Sequence, residues 1–472
     1  MNVASWIQFH PVLALRWPSL PAIELAVALL CLVGLVGWLA IRQPAWILYG
    51  LVFLELTHLD FLLPETRPIS VSLALEGILA AGLMIHWIAT GASLRVAWPQ
   101  TVLLNVYVLM ACLSSFLVAP STVDLNGRLV IKDLLVRWFT IMAITQLVAT
   151  DQDREKAYGL LLISAAVLVG LSLGKLALTG TNWRSRELPP WVTGPILLRA
   201  NAPGVHTDNL ACELVMMFPL LFSYLASPGK SGLKVLSALL TPLFFLNIIL
   251  TYSRTGFLVL GVAVLGTLFY RRGWGKALVV VVVALAVGLL APQAFWQRMA
   301  TIVTDREGSS RIFLYAAAIR MIKASPLWGV GYGGFQHLVN QYYPLPTGTV
   351  SGSPHNIYLD VWAETGILAL LVFLALLATS IAALHRLRRE LVSLSALESR
   401  LFALELALLI FALAGLTTPL LLDPVFHVIL GLALSAIAAR RLRETKLEAR
   451  AETCPHREIE PRSYVSRPGI DS

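Results

Sequence analysis

Runs of about twenty apolar residues recur along most of this chain, and few folds can accommodate them. A helix of that length spans a ~30 Å hydrocarbon core. Inside lipid, only a helix or a closed barrel satisfies its own backbone hydrogen bonds. Candidate spans are 20–41, 44–63, 71–90, 99–119, 129–150, 157–179, 209–226, 234–252, 256–270, 277–292, 364–384, 403–419 and 424–440. Only 13% of the residues are charged, against roughly 25% in soluble domains, so a soluble enzyme is excluded. The run Leu20 to Ile41 is too long for a signal-peptide core and reads as an uncleaved membrane helix. The expectation is an all-α membrane protein, a polytopic bundle of 12–13 transmembrane helices with one large outer loop.

Clusters of positive charge set the orientation. Arg271, Arg272 and Lys276, then His385, Arg386, Arg388 and Arg389, then Arg440, Arg441, Arg443 and Lys446 fall on one side if the spans alternate. That side is assigned to the cytoplasm, and the net charge of +9 reports topology rather than binding to nucleic acid. An odd span count leaves the N-terminus outside, whereas twelve spans put both ends inside. The expected organisation is an N-terminal transmembrane bundle over 1–290, a large outer loop over 291–363, C-terminal transmembrane helices over 364–440, and a polar, poorly ordered cytoplasmic tail over 441–472. Cys31, Cys112 and Cys212 lie in apolar runs and Cys454 in the tail, which indicates neither a disulfide framework nor a zinc site.

Within the spans stand Glu55, His58, Asp60, Glu76, His86, Lys132, Asp133 and Arg137. Ionisable groups in a membrane are costly and mark substrate paths or structural pairs. As a path they imply a transporter of an ion or small solute, but no paired broken spans or inverted repeats accompany them.

Four outward elements carry chemistry. The loop 181–209 holds Arg184, Arg186, Arg199, His206 and Asp208, and Thr251 to Gly256 puts Arg254 at a tight turn between spans. Ser309 to Pro326 has helical spacing and carries Arg311 and Arg320; the fourth element, SPHNIYLDVWAETG, brings His355 and Asn356 to the start of a span. Arginines on a translocated face run against the positive-inside bias. A guanidinium fork binds phosphate oxygens with two parallel hydrogen bonds, and a histidine can take a hydroxyl proton near neutral pH. That scheme requires no metal, and no Asp-x-Asp pair stands in the outer loops to hold one. Each residue also has a plainer reading. An arginine at a turn snorkels or caps a helix end, a His-Asn pair before a helix is a cap, and GVGYGG (Gly329 to Gly334) is a flexible turn.

Taken together, Ser-Arg-Thr-Gly at 253–256, Arg311 ahead of Pro-Leu-Trp-Gly-Val-Gly-Tyr-Gly, Pro-His-Asn-Ile-Tyr-Leu at 354–359 and Glu-Thr-Gly-Ile at 364–367 resemble the O-antigen ligase and polymerase superfamily. The resemblance is strongest over 195–380. It implies a GT-C-type helical glycosyltransferase of the bacterial inner membrane, with its active site on the periplasmic face. Such a protein moves a glycan from undecaprenyl diphosphate to an acceptor, inverting the anomeric centre and using neither metal nor cofactor. The acceptor is the lipid A core in a ligase and another lipid-linked glycan in a polymerase. By the same resemblance Arg254 and Arg311 bind the diphosphate and His355 is the general base. Arg199, Asn356 and Arg320 support substrate or loop geometry. Lying between Arg311 and His355, the glycines of 329–334 are expected to act as a hinge for entry of lipid and acceptor.

Overall fold

The computed structural model describes residues 37–39, 41–59, 71–91, 94–118, 125–179, 200–202, 205–227, 232–270, 282, 289, 296, 306–343, 352–391 and 395–453. Among the described residues the secondary structure is helical, without a strand. The helices are α1 (Pro44–Thr57), α2 (Val71–Thr90), α3 (Gln100–Val118), α4 (Leu125–Leu147), α5 (Asp151–Thr179), α6 (Thr207–Ala226) and α7 (Gly232–Leu250). After them come α8 (Arg254–Tyr270), α9 (Arg306–Ala324), α10 (Phe335–Tyr342), α11 (Ile357–Arg389), α12 (Ala396–Ala414) and α13 (Pro424–Thr453).

Seven of these (α2, α3, α5, α6, α7, α11 and α13) are long and apolar enough to cross a membrane. The helices α1 and α8 are apolar but shorter. Two more, α4 and α12, lie on expected spans but carry internal charges, among them Lys132, Asp133 and Arg137 in α4 and Glu398, Arg400 and Glu405 in α12. The expected span 20–41 lies almost wholly outside the described residues, as does 277–292. The chain is therefore a polytopic helical membrane protein.

Two compact units are present, Met1–Leu51 with Glu65–Ser93, and Val52–Pro64 with Leu94–Ser472. In the second, α6 and α13 are the central helices, 89% and 83% buried over their apolar windows. Peripheral helices instead turn large apolar side chains outward, such as Phe116, Leu258 and Phe269. In lipid this outer face meets hydrocarbon. The helix α12 packs on α6, α11, α13 and α8, while α11 packs on α3 and α13 on α4.

The two ends of this unit differ in chemistry. One end is an ionic girdle. Arg388 Nε bonds Glu405 Oε2 at 2.9 Å, and Arg400 Nη2 bonds Glu155 Oε1 at 3.1 Å. Arg443 Nη2 meets Asp151 Oδ2 at 2.9 Å, and Arg440 Nη2 meets Glu390 Oε2 at 2.7 Å. The Arg400 guanidinium also lies over the Tyr224 ring, 3.3 Å from its centroid. The girdle holds Arg388, Arg440 and Arg443 from two of the clusters that orient the chain, while Arg271, Arg272 and Lys276 lie outside the described residues. The other end gathers the N-termini of α6, α8, α9, α11 and α13 and the C-terminus of α12.

Several intramembrane charges prove to be pairs. Arg137 Nη1 lies 2.7 Å from the buried Glu55 Oε2, and His58 Nε2 lies 3.2 Å from the buried Glu213 Oε2. Lys132 and Asp133 sit 4.0 Å apart and are partly exposed. Such pairing lowers the cost of charges in a low-dielectric interior. Asp60 lies outside the described residues.

Candidate active site

The glycine-rich run lies on a break in α11. Gly366 has φ 85 and ψ 171, a conformation open essentially to glycine alone. The freed backbone is bonded to the loop. Val330 N donates to Ala363 O and Gly331 N to Glu364 O, both at 2.9 Å, and Ile367 N donates to Pro326 O at 2.9 Å. The Glu364 side chain closes the clamp, its two oxygens accepting from Gly333 N at 2.9 Å and Phe335 N at 3.1 Å. From α3, Ser114 Oγ reaches Trp328 O at 2.6 Å and Glu364 O at 2.7 Å, while Ser115 Oγ accepts from Tyr332 N at 2.9 Å. A Cβ on Gly329 would stand 2.2 Å from Glu364 C, and one on Gly366 1.9 Å from Leu327 O. These glycines permit two backbones to touch. The run is thus a clamped support for α9, α10 and the start of α11, which does not fit the expected hinge or flexible turn.

On that support the site residues are distributed as follows. Arg254 is the first residue of α8. The turn before it is tight, with Tyr252 at φ 52 and Ser253 Oγ accepting from Gly256 N at 3.1 Å. Gly256 lets α8 approach α6 so closely that a Cβ there would lie 2.4 Å from Ala211 Cβ. Arg311 stands near the N-terminus of α9, half-buried, with Nη1 donating to Thr417 O at 3.4 Å. It makes no ion pair with a described carboxylate.

His355 stands immediately before α11 at φ 51, with its N–H donating to Ser353 Oγ at 3.2 Å. A positive φ is uncommon for a residue with a side chain and costs roughly 1–3 kcal/mol. Of the three described non-glycine residues with positive φ, two are His355 and Tyr252, each beside a site residue. Asn356 is the N-cap of α11, its Oδ1 accepting from Tyr358 N at 3.0 Å and Leu359 N at 3.1 Å. Its plain capping reading holds.

Arg320 has a different neighbourhood. It lies nine residues beyond Arg311, roughly 13 Å further along the helix. Its Nη1 donates to Tyr342 O at 2.9 Å and its guanidinium stacks over Tyr343, 4.8 Å from the ring centroid. It fastens α9 to the end of α10. Arg199 lies outside the described residues; its neighbour Ala200 donates to Leu250 O at 2.7 Å, four residues before Arg254.

The structure adds two residues to which sequence reasoning gave no role. His206 caps α6, Nδ1 accepting from Asp208 N at 3.3 Å and lying 3.7 Å from Asp208 Oδ2. Both stand within electrostatic reach of His355. Burial lowers the His355 pKa below its ordinary 6.5, the positive charges of Arg311 and His206 lower it further, and Asp208 opposes them. The imidazole is thereby kept neutral, as a proton acceptor requires. Only the motif HTDN before an apolar run signalled this cap. Among the described residues no three His, Cys, Asp or Glu side chains are grouped to hold a metal ion. The pair Asp151 and Asp153 belongs to the ionic girdle, bound to Arg154 and Arg443 and to Lys156.

A helical bundle with seven described helices long and apolar enough to cross a membrane, and with Arg311 and His355 near one end, defines the class as a polytopic membrane protein. A family model described as O-antigen ligase matches residues 239–374, and over that stretch the chain is similar to that family. The match takes in Arg254, Arg311, Arg320, His355, Asn356 and the clamped glycine loop, and stops short of His206 and the α12–α13 connection. No curated protein matches this chain.

Proposed function

We propose that the protein transfers a glycan from undecaprenyl diphosphate to an acceptor hydroxyl at the periplasmic face of a bacterial inner membrane. The acceptor is the lipid A core, making the protein an O-antigen ligase. The observation that carries this reading is the pairing of Arg311, half-buried and without a described carboxylate partner, with His355, whose pKa is depressed beside it.

In this reading His355 accepts the acceptor hydroxyl proton as the oxygen attacks the anomeric carbon. The bond from that carbon to the diphosphate oxygen breaks, and the anomeric centre inverts in a single displacement. Negative charge grows on the departing diphosphate, where Arg254 and Arg311 offset it in a water-poor setting. Proton, electron pair and leaving group balance without a cofactor. Arg199 and Asn356 support the site geometry. A GT-C-type topology, with the catalytic loop over 291–363 between transmembrane parts 1–290 and 364–440 and the tail 441–472 in the cytoplasm, completes the proposal. The ionic girdle then faces the cytoplasm, in keeping with the positive-inside bias. The matched domain serves a polymerase equally well, with a second lipid-linked glycan as acceptor.

The test is glycan analysis of a deletion strain complemented with wild type, His355→Ala or Arg311→Ala. Full-length polymer left on its lipid carrier identifies a ligase, and single repeat units already on the core identify a polymerase. Both variants insert and express but fail to restore transfer. Full transfer by His355→Ala refutes its role as base.

A further inference from the structure

The connection between α12 and α13 lies outside the stretch matched by the ligase model, yet Arg311 and the helix starts beside Arg254 and His355 are fastened to it. Arg311 Nη1 donates to Thr417 O at 3.4 Å. Thr417 Oγ1 lies 2.8 Å from Oγ1 of Thr255, the residue next to Arg254. Ile357 N, two residues after His355, donates to Gly415 O at 2.8 Å, and Tyr358 Oη donates to Ala412 O at 2.6 Å. Gly415 allows that approach, since a Cβ there would stand 2.4 Å from Ile357 Cδ1.

The connection is itself held at both ends. Leu416 N and Thr417 N donate to Leu413 O and Ala414 O at 3.2 and 3.0 Å, continuing the last turn of α12. At the far end Asp423 Oδ1 accepts from Val425 N at 2.9 Å and Phe426 N at 3.3 Å, capping α13. Thr417 is bonded both to an arginine of the site and to the helix that begins with the other. Its hydroxyl inventory is consistent. Thr417 Oγ1 can donate to Ala414 O at 3.4 Å while accepting from Thr255 Oγ1, leaving its carbonyl for Arg311.

We propose that Thr417 is a positioning residue that sets the spacing between Arg254 and Arg311 for a diphosphate ligand. A guanidinium pair recognises a diphosphate only when both forks reach oxygens of the same group. The carbonyl of Thr417 anchors one fork, and its hydroxyl anchors the helix start that carries the other. This rests on the diphosphate reading of the site given above.

The experiment measures binding of undecaprenyl diphosphate, without sugar, to the full-length protein in nanodiscs. Thr417→Val leaves the Thr255 hydroxyl without its partner and weakens binding about tenfold, and Thr417→Ser restores it. Thr255→Val reproduces the loss from the other side of the pair, and the double valine variant is no weaker than either single one. Should Thr417→Val fail to insert, Thr255→Val carries the test. Wild-type binding by the single variants, no rescue by serine, or additive losses in the double variant overturns the assignment. Arg254→Met and Arg311→Met separate the two readings. If both bind like wild type the diphosphate site is wrong, whereas if both lose binding and Thr417→Val does not, only the role of Thr417 falls.

Discussion

Glu364→Gln tests whether the glycine run is a clamp or a moving part. Each oxygen of the Glu364 carboxyl accepts one backbone N–H, from Gly333 at 2.9 Å and from Phe335 at 3.1 Å. Glutamine keeps the shape but offers a single acceptor oxygen, so one of those N–H groups faces an amide that can only donate. Glu364 is 8% exposed and the Phe335 side chain is fully buried, which leaves water a poor substitute. Stranding a buried donor costs roughly 1–3 kcal/mol. A central value of about 2 kcal/mol corresponds to roughly thirtyfold in the opening equilibrium of the loop. Hydrogen exchange of the amides at 330–335, measured by mass spectrometry on the protein in detergent, reads that equilibrium directly. The expected result is exchange faster by about that factor there, with the α6 and α13 amides unchanged. Equal exchange in wild type and Glu364→Gln, or fast exchange in the wild type itself, refutes the clamp and returns the glycines to a hinge.

The depressed pKa of His355 has a definite sign. A base works when unprotonated, so the acid limb of kcat/KM lies below the ordinary histidine range. Asp208→Asn removes a charge that raises this pKa and moves the limb lower still; a move upward contradicts the assignment. Gly366→Ala forces a Cβ to within 1.9 Å of Leu327 O at φ 85. The variant should fail to accumulate in membranes, as judged by immunoblot against wild type. Asn356→Ala removes the α11 cap at a cost of about 0.5–2 kcal/mol. Asn356→Asp, which keeps the acceptor, retains the wild-type melting temperature, and equal melting of the alanine variant contradicts the capping role.

Much of the frame was legible because lipid imposes a length on every span. A twenty-residue apolar run has few alternatives to a membrane helix, so α2, α3, α5, α6, α7, α11 and α13 fall where hydropathy places them. The arginine clusters around 385–389 and 440–443 also share one end of the bundle, as alternating spans require. Motif order pointed to Arg254, Arg311 and His355 as a set, and the matched domain covers all three.

The chain by itself thus determined the class of fold, the residues with the chemistry to bind an anion or take a proton, and the likeness to O-antigen ligases. What it left to tertiary structure is how those residues are held. That GVGYGG is a clamp depends on Glu364, some thirty residues away, and on Ser114 and Ser115 in α3. The role of Thr417 depends on hydrogen bonds to Thr255 and Arg311, more than a hundred residues distant in either case. Periodicity and local motifs report which face of a helix is apolar and where it starts. Backbone-to-backbone and side-chain-to-carbonyl bonds between distant segments leave no periodic trace, so the connection that bonds Arg311, Thr255 and Ile357 emerges only when the helices are packed.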